Sequence, residues 1–518
     1  KALLNNTTAD YNTAVGRYCM GVNTTGTRNV GMGPFALASN TTGNYNVGIG
    51  YNTLGSNTTA PNNTAVGYQS LGVNSTGSSN TAIGYLALYN NSTGDSNVAV
   101  GGECLDGNTT GYYNTAVGKS AMGDNSTGAA NTAVGYLALK SNTTAADNTA
   151  VGRSALQENT TGAENAAFGK DALELNTTGS NNTALGAYAL DANTTASANT
   201  ALGFASMSDN STGGSNTAVG YRSLKSNTTG DYGVAVGTYA LEENTTADYN
   251  TAVGYAALHT TTTGQTNTAL GFKALYSNTT GLDNIAIGHE SLYSNTTASY
   301  NVSIGRGALY TNTTGADNVA VGQQVLQTVS TGFGNTAIGT YAGLDISTGD
   351  YNVCIGREAG RGQISTSDYN CFIARDNAGG GNAAVWLYGN SSGACYQGNN
   401  SSSWSTTSDR RLKKNIVDNT KGLAEIDQLR VTNFEYRKEN EIDMSEFPLA
   451  ENPNQVVLGK DNEGVHTGVI AQEVETVLPE CIKVSDKGAK TVSTDPILWA
   501  LVNAVKELSA KVTALEGK

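Results

Sequence analysis

The sequence predicts a mainly β protein: a trimeric parallel β-solenoid of 17-residue coils, then a small α+β domain ending in a coiled-coil helix. Three observations predict it. A phrase of the type N-T-A-V-G returns with a fixed 17-residue period, its glycine at Gly16, Gly33, Gly50 and onward to Gly356. Some copies alternate openly with a period of two, as at Ile285 and Ile287 or Val319 and Val321. At Ser408 the composition changes abruptly, and the chain closes on apolar residues stepping by three and four.

The glycine keeps its place in all 21 copies, without insertion or deletion. A period this strict makes each unit one coil stacked on the next. The phrase reads as a short strand whose second and fourth places share a face. Its second place is mostly Thr, which suits a strand, and its third is small. The glycine that follows suits a tight bend. Four residues later stands Leu or Met in the first 19 copies, then a turn phrase such as Asn23–Gly26. The expected coil is strand, bend, apolar anchor and turn, around a thin core of stacked Val, Ile and Leu. At about 4.8 Å per strand, the stack makes a rod of roughly 100 Å.

The first Asn of the phrase recurs in every copy but one, where Gly233 stands. A ladder of stacked amides explains it better than a ligand site. The N-T-T turns also fit the N-glycosylation pattern, although a repeated turn accounts for them without sugar.

Composition narrows the function. The chain carries a net charge of −14, which disfavours nucleic acid as a partner. No apolar run has membrane-spanning length. The chain opens at Lys1 without Met, so the lack of a signal-peptide pattern decides nothing. Six Cys are scattered without a CxxC pair, which argues against zinc and for small buried thiols. No metal or cofactor is expected.

Three segments result: the repeat over 1–356, a region over 357–407 and a domain over 408–518. The anchor place holds Gly343 and Gly360 in the last two copies. Residues 357–407 are rich in Gly, Ser and Asn and carry Trp386, Tyr388, Tyr396 and Trp404. They read as a cap and linker, or as an aromatic tip suited to carbohydrate. The last segment holds 34 charged residues in 111, an ordinary globular mixture. Its closing residues Leu498, Leu501, Val505, Leu508, Val512 and Leu515 form a heptad seam.

Two resemblances extend this reading. The strand phrase is similar to the S-V-A-I-G head repeats of trimeric autotransporter adhesins, whose left-handed β-rolls pack three chains side by side. The resemblance covers roughly residues 6–356, with a longer period here. A thin coil supports the same arrangement, because neighbouring chains would help bury its faces. The second resemblance rests on S-D-R-R-L-K-K-N-I (408–416), F-E-Y-R (434–437), H-T-G-V-I-A-Q-E-V (466–474) and L-P-E (478–480). These phrases resemble endosialidase-type intramolecular chaperone domains of phage tail spikes and fibres. The family often carries a Tyr before its closing helix, where this chain has 493–496.

The second resemblance implies a domain that trimerises, guides folding of the fibre and cuts itself off. Ser408 would be the nucleophile, Lys413 its base, and Thr407–Ser408 the bond broken. A Ser hydroxyl needs a base to take its proton. A Lys serves only if burial or positive neighbours such as Arg410, Arg411 and Lys414 lower its pKa. Ser408 Oγ attacks the Thr407 carbonyl, and water resolves the ester. His466 and Glu473 stand in the third phrase as supporting or structural residues. The implied whole is a homotrimeric fibre of a virion tail or similar extracellular appendage, fixed through its N-terminus and contacting a host glycan or receptor. A cellular surface adhesin is the alternative. A polysaccharide-cleaving enzyme would need paired carboxylates, whereas Asp10, Glu164 and Asp283 sit in variable repeat places.

Overall fold

The computed structural model describes residues 2–362, 364–374, 385–389, 395–397, 416–437, 441–448, 450, 465–485 and 488–517. The chain divides into two compact units, one essentially residues 1–400 and the other essentially 401–518.

The first unit is a parallel β-solenoid. Strands β1 (Thr13–Val15) to β21 (Val353–Ile355) are short, recur with the 17-residue period of the phrase and pair in parallel with the next coil. Register follows the repeat throughout: Val98 faces Thr115, Ala99 faces Ala116, and Val100 faces Val117. One further rung, β22 (Cys371–Ala374), follows a coil lengthened by a single residue, so that Val353 faces Cys371. Two antiparallel strands, β23 (Val385–Gly389) and β24 (Cys395–Gln397), then end the sheet.

The core differs from the expected one. The strand's second and fourth places do share a face, but that face points outward. The third place, usually Ala, points in and is fully buried, as at Ala99, Ala133 and Ala201. The Val and Ile of the phrase therefore do not fill the core. It consists of that Ala, the anchor Leu or Met, and the small residue before the anchor. A coil this narrow has no inward room for a branched side chain on its strand, which is why the third place is always small.

Backbone geometry explains the anchor. Every Leu or Met anchor from Met20 to Leu326 has φ between +46° and +54°. A β-branched residue is strained in that region, so Val and Ile never serve there. Gly343 and Gly360 hold the same conformation at the end of the stack, with φ of +57° and +73°. Their missing side chains are replaced by Ile346 and Ile364, which enter the core from the turn. The phrase glycines have φ between +113° and +144°, where only glycine is at ease. A Cβ on Gly135 would lie 2.3 Å from the Gly152 carbonyl oxygen of the next coil.

Two buried Asn ladders run the length of the stack. In the first, Asn46 N–H donates to Asn29 Oδ1 at 2.9 Å and Asn46 Nδ2 donates to the Ala60 carbonyl at 2.9 Å. The second uses the Asn of the N-T-T turn: Asn40 Nδ2 donates to Asn23 Oδ1 at 2.8 Å. These turn Asn are buried, with Nδ2 already donating along the ladder. The N-T-T sequences of the folded stack are therefore structural rungs and leave no room for a glycan.

The second ladder breaks where a rung is not Asn. Thr261 follows Asn244 and Val329 follows Asn312; at both breaks the Asn Oδ1 is buried without a partner. An unsatisfied buried acceptor costs about 1–3 kcal/mol. Thr261→Asn restores a rung that neighbouring coils already accommodate. It is expected to stabilise the fibre by about 1–2 kcal/mol, read as a higher midpoint in a thermal or denaturant melt.

Of the six Cys, Cys19, Cys104, Cys354 and Cys481 are buried as expected, Cys371 is half-buried, and the side chain of Cys395 lies outside the described residues. Burial pushes Cys104 and Cys354 up to about 12, so both are inert. Among the described residues no helix is long and apolar enough to cross a membrane.

The second unit contains α1 (Leu423–Ile426), β25 (Thr432–Phe434), β26 (His466–Gly468), α2 (Ala471–Val477), β27 (Ile482–Val484), β28 (Lys490–Val492) and α3 (Thr494–Glu516). β25 pairs antiparallel with β26, and β27 with β28. Its core gathers Val474, Leu478 and Cys481 against Leu429, Val469, Val492 and Ile497. Asn503 Nδ2 on α3 donates to the carbonyls of Asn419 at 3.0 Å and Lys421 at 2.9 Å, tying the segment before α1 to α3.

Candidate functional site

Three of the expected site residues, Thr407, Ser408 and Lys413, lie outside the described residues, as do Arg410, Arg411 and Lys414. The other two are placed. His466 sits on β26 opposite Phe434. Its ring centroid lies 6.1 Å from that of Phe434 and 5.1 Å from that of Tyr436. Its Nε2 is buried and has no hydrogen-bond partner among the described residues. The phrases F-E-Y-R and H-T-G-V thus meet as one aromatic cluster around an imidazole.

Glu473 lies in the first turn of α2. Arg430 Nε donates to its Oε2 at 3.2 Å, and a second contact joins Arg430 Nη2 to Oε1. The hydrogen-bonded Arg430 guanidinium holds the carboxyl below the usual carboxylate range. The pair pins the segment before β25 to α2. No hydrogen bond joins Glu473 to His466 among the described residues.

On α3 the heptad residues are open in the single chain: Leu498, Leu501, Val505, Leu508, Val512 and Leu515 are all exposed. The inner face holds the buried Ala500 and Ala504 instead. An apolar seam left open along a helix is the surface a coiled coil uses.

Residues 408–483 match the family model described as chaperone of endosialidase. The C-terminal segment is an endosialidase-type chaperone domain. Such a domain assists trimer folding and supports autoproteolysis. The matched region begins at Ser408; of the phrases that carry the resemblance, the second contributes Phe434 to β25 and the third spans β26 and the start of α2.

The solenoid before the chaperone domain carries the complementary feature. The fourth place of the phrase forms an in-register outward row: Val15 faces Met32, Val66 faces Ile83, and Val117 faces Val134. Leu185 is 48% exposed and Ile338 44%. Beyond the glycine the row is flanked by aromatics, among them Tyr51, Tyr68, Tyr85, Tyr221 and Tyr255. Soluble single chains rarely expose apolar patches larger than a few hundred Å². A row one residue wide on every coil makes a continuous apolar strip.

Sequence reasoning missed this row because it assigned Val and Ile to the core. The invariably small third place was the signal available. It also missed a partly buried ionic cluster on three successive coils. There Arg222 Nη2 meets Glu242 Oε1 at 2.9 Å, and His259 Nε2 meets Glu242 Oε2 at 2.9 Å. Among the described residues no group of His, Cys, Asp and Glu is arranged to hold a metal.

Proposed function

We propose that the chain is a homotrimeric fibre of a virus tail or similar extracellular appendage that attaches to a host surface. Its chaperone domain aligns three chains and then releases itself between Thr407 and Ser408. Ser408 supplies the nucleophile and Lys413 the base. The observation that carries the reading is the order of parts: a long stack with an open apolar row, followed later in the chain by an endosialidase-type chaperone domain. A rod of stacked coils too thin to bury its own outward face needs such a domain during assembly and not afterwards. The N-terminal end would then dock on the virion or appendage base. The likeness of the strand phrase to adhesin head repeats favours a cellular surface adhesin as the second reading.

Attachment is tested by labelling the assembled fibre and measuring binding to a panel of bacterial cells and to a glycan array. Saturable binding, competed by the cells' own surface polysaccharide and leaving that polysaccharide at its original length, is the expected result. Binding to none of the cells or glycans removes the attachment reading. Shortened polysaccharide would make the fibre an enzyme instead.

A further inference from the structure

The residues two places after the phrase glycine run Arg222, Tyr239, Ala256 and Lys273 on successive coils. Ala256 is the small one. Beside it lies a half-open pocket of about 280 Å³, lined by Tyr239, Tyr255, Tyr276 and Lys273 together with Glu242 and His259. The repeat is also broken in this stretch, by Gly233 in one Asn ladder and Thr261 in the other. Departures from an otherwise rigid pattern mark places where something other than stacking is being served.

The charges in the cavity wall are unevenly spent. Glu242 is buried, and both its oxygens are taken by Arg222 and His259. The His259 ring stacks on Tyr276 with centroids 5.0 Å apart, which holds the imidazole in place. Arg222 Nε and His259 Nδ1 are buried without a partner among the described residues, so the wall has unused polar capacity. Lys273 makes no ion pair or hydrogen bond among the described residues. Its amine lies 5.4 Å from the ring centroids of both Phe272 and Tyr276. Elsewhere on the stack Lys140, Arg153 and Lys225 each face a carboxylate, whereas Lys119 and Arg306, like Lys273, are in no ion pair among the described residues. An uncommitted cation in an aromatic-walled pocket favours an anion with an adjoining apolar or hydroxyl-bearing body.

We propose that the cavity beside Ala256 binds a saccharide unit carrying an anionic oxygen group, a carboxylate or a sulfate ester, with that group on Lys273 and the sugar body against the tyrosines. This rests on the attachment reading and names the class of surface polymer the fibre takes.

The test is saturation-transfer NMR on the full chain with methyl β-glucuronide, a 6-sulfated methyl glucoside, neutral methyl β-glucoside and inorganic sulfate. Two variants accompany the wild type. Lys273→Gln removes the cation. Ala256→Phe fills the cavity, and Phe35 already occupies the same repeat place, so the coil accepts it. At least one anionic glycoside should bind, and whichever does identifies the anion. The neutral glycoside and sulfate alone should bind at least tenfold more weakly. Each variant should lose at least tenfold in affinity while its far-UV circular dichroism is unchanged. Neither anionic glycoside binding, sulfate alone binding as tightly, or undiminished binding in both variants would overturn the proposal. Cell binding separates the two readings: a fibre that still attaches with Ala256→Phe keeps the attachment reading and loses this site. A fibre that binds no cell loses the attachment reading, while the NMR result still decides the cavity.

Discussion

A Ser408→Ala chain is expected to stay at full length under conditions where the proposed dyad would separate the wild type into residues 1–407 and 408–518. The reasoning is chemical. Cleavage before Ser408 requires its Oγ to attack the Thr407 carbonyl carbon and the peptide bond to give way to an ester, which water then opens. Alanine has no oxygen to offer, so no cut forms. Lys413→Ala is milder in kind: the hydroxyl remains, but nothing takes its proton. A positioned general base is worth about 10²–10⁴ in rate, so the variant should cut that much more slowly. Both variants should still assemble, because the framework of β25, β26 and α2 and the open seam on α3 are untouched. Intact mass spectrometry of the three proteins reads the result. Wild-type cleavage of Ser408→Ala would remove the dyad from the account.

Charging the outward row should take the trimer apart. Ile83, Val134 and Leu185 stand on the outward face of three separate strands and are partly open in the single chain. In a trimer packed through that face they become buried. Lys at these three positions would then place unpaired ammonium groups in an apolar contact, at an effective cost of several kcal/mol per ion. The triple variant is expected to sediment as a single chain where the wild type sediments as three. Asn90→Lys, at an exposed place remote in sequence from the phrase, is the control and should remain trimeric. A triple variant that stayed trimeric would mean that this row is not the contact.

Much of the fold was legible because the repeat is a physical constraint written 21 times over. A fixed 17-residue period admits stacked coils and little else, and the strand phrase lies where the strands are. Which face turns inward was harder to read. Alternation in Val319 and Val321 shows that two residues share a side without saying which side is the core. The hydrophobic rule put them inside. The coil's narrowness put Ala320 inside instead. The preference for Leu over Val at the anchor is a matter of backbone, since Leu139 sits at φ +53°.

The candidate site was legible in a different way. Short phrases around Ser408, Phe434 and His466 pointed to the chaperone domain, and the family match over 408–483 bears that out. The cluster of Arg222, Glu242 and His259 was invisible because each member sits on a different coil, and they touch only once the coils are stacked. The solenoid's second Asn ladder was hidden for a related reason: the N-T-T turn reads locally as a solvent-facing loop, while stacking buries its Asn between the turns above and below.

The central claim is that copies of the solenoid pack against one another through the outward Val and Ile of the strands. Cryo-electron microscopy of the assembled fibre in cross-section tests it most directly. Three solenoids around one axis, with β1 to β21 of each turned toward that axis, is the predicted image. A lone solenoid, or three whose strand faces look out to solvent, would contradict it.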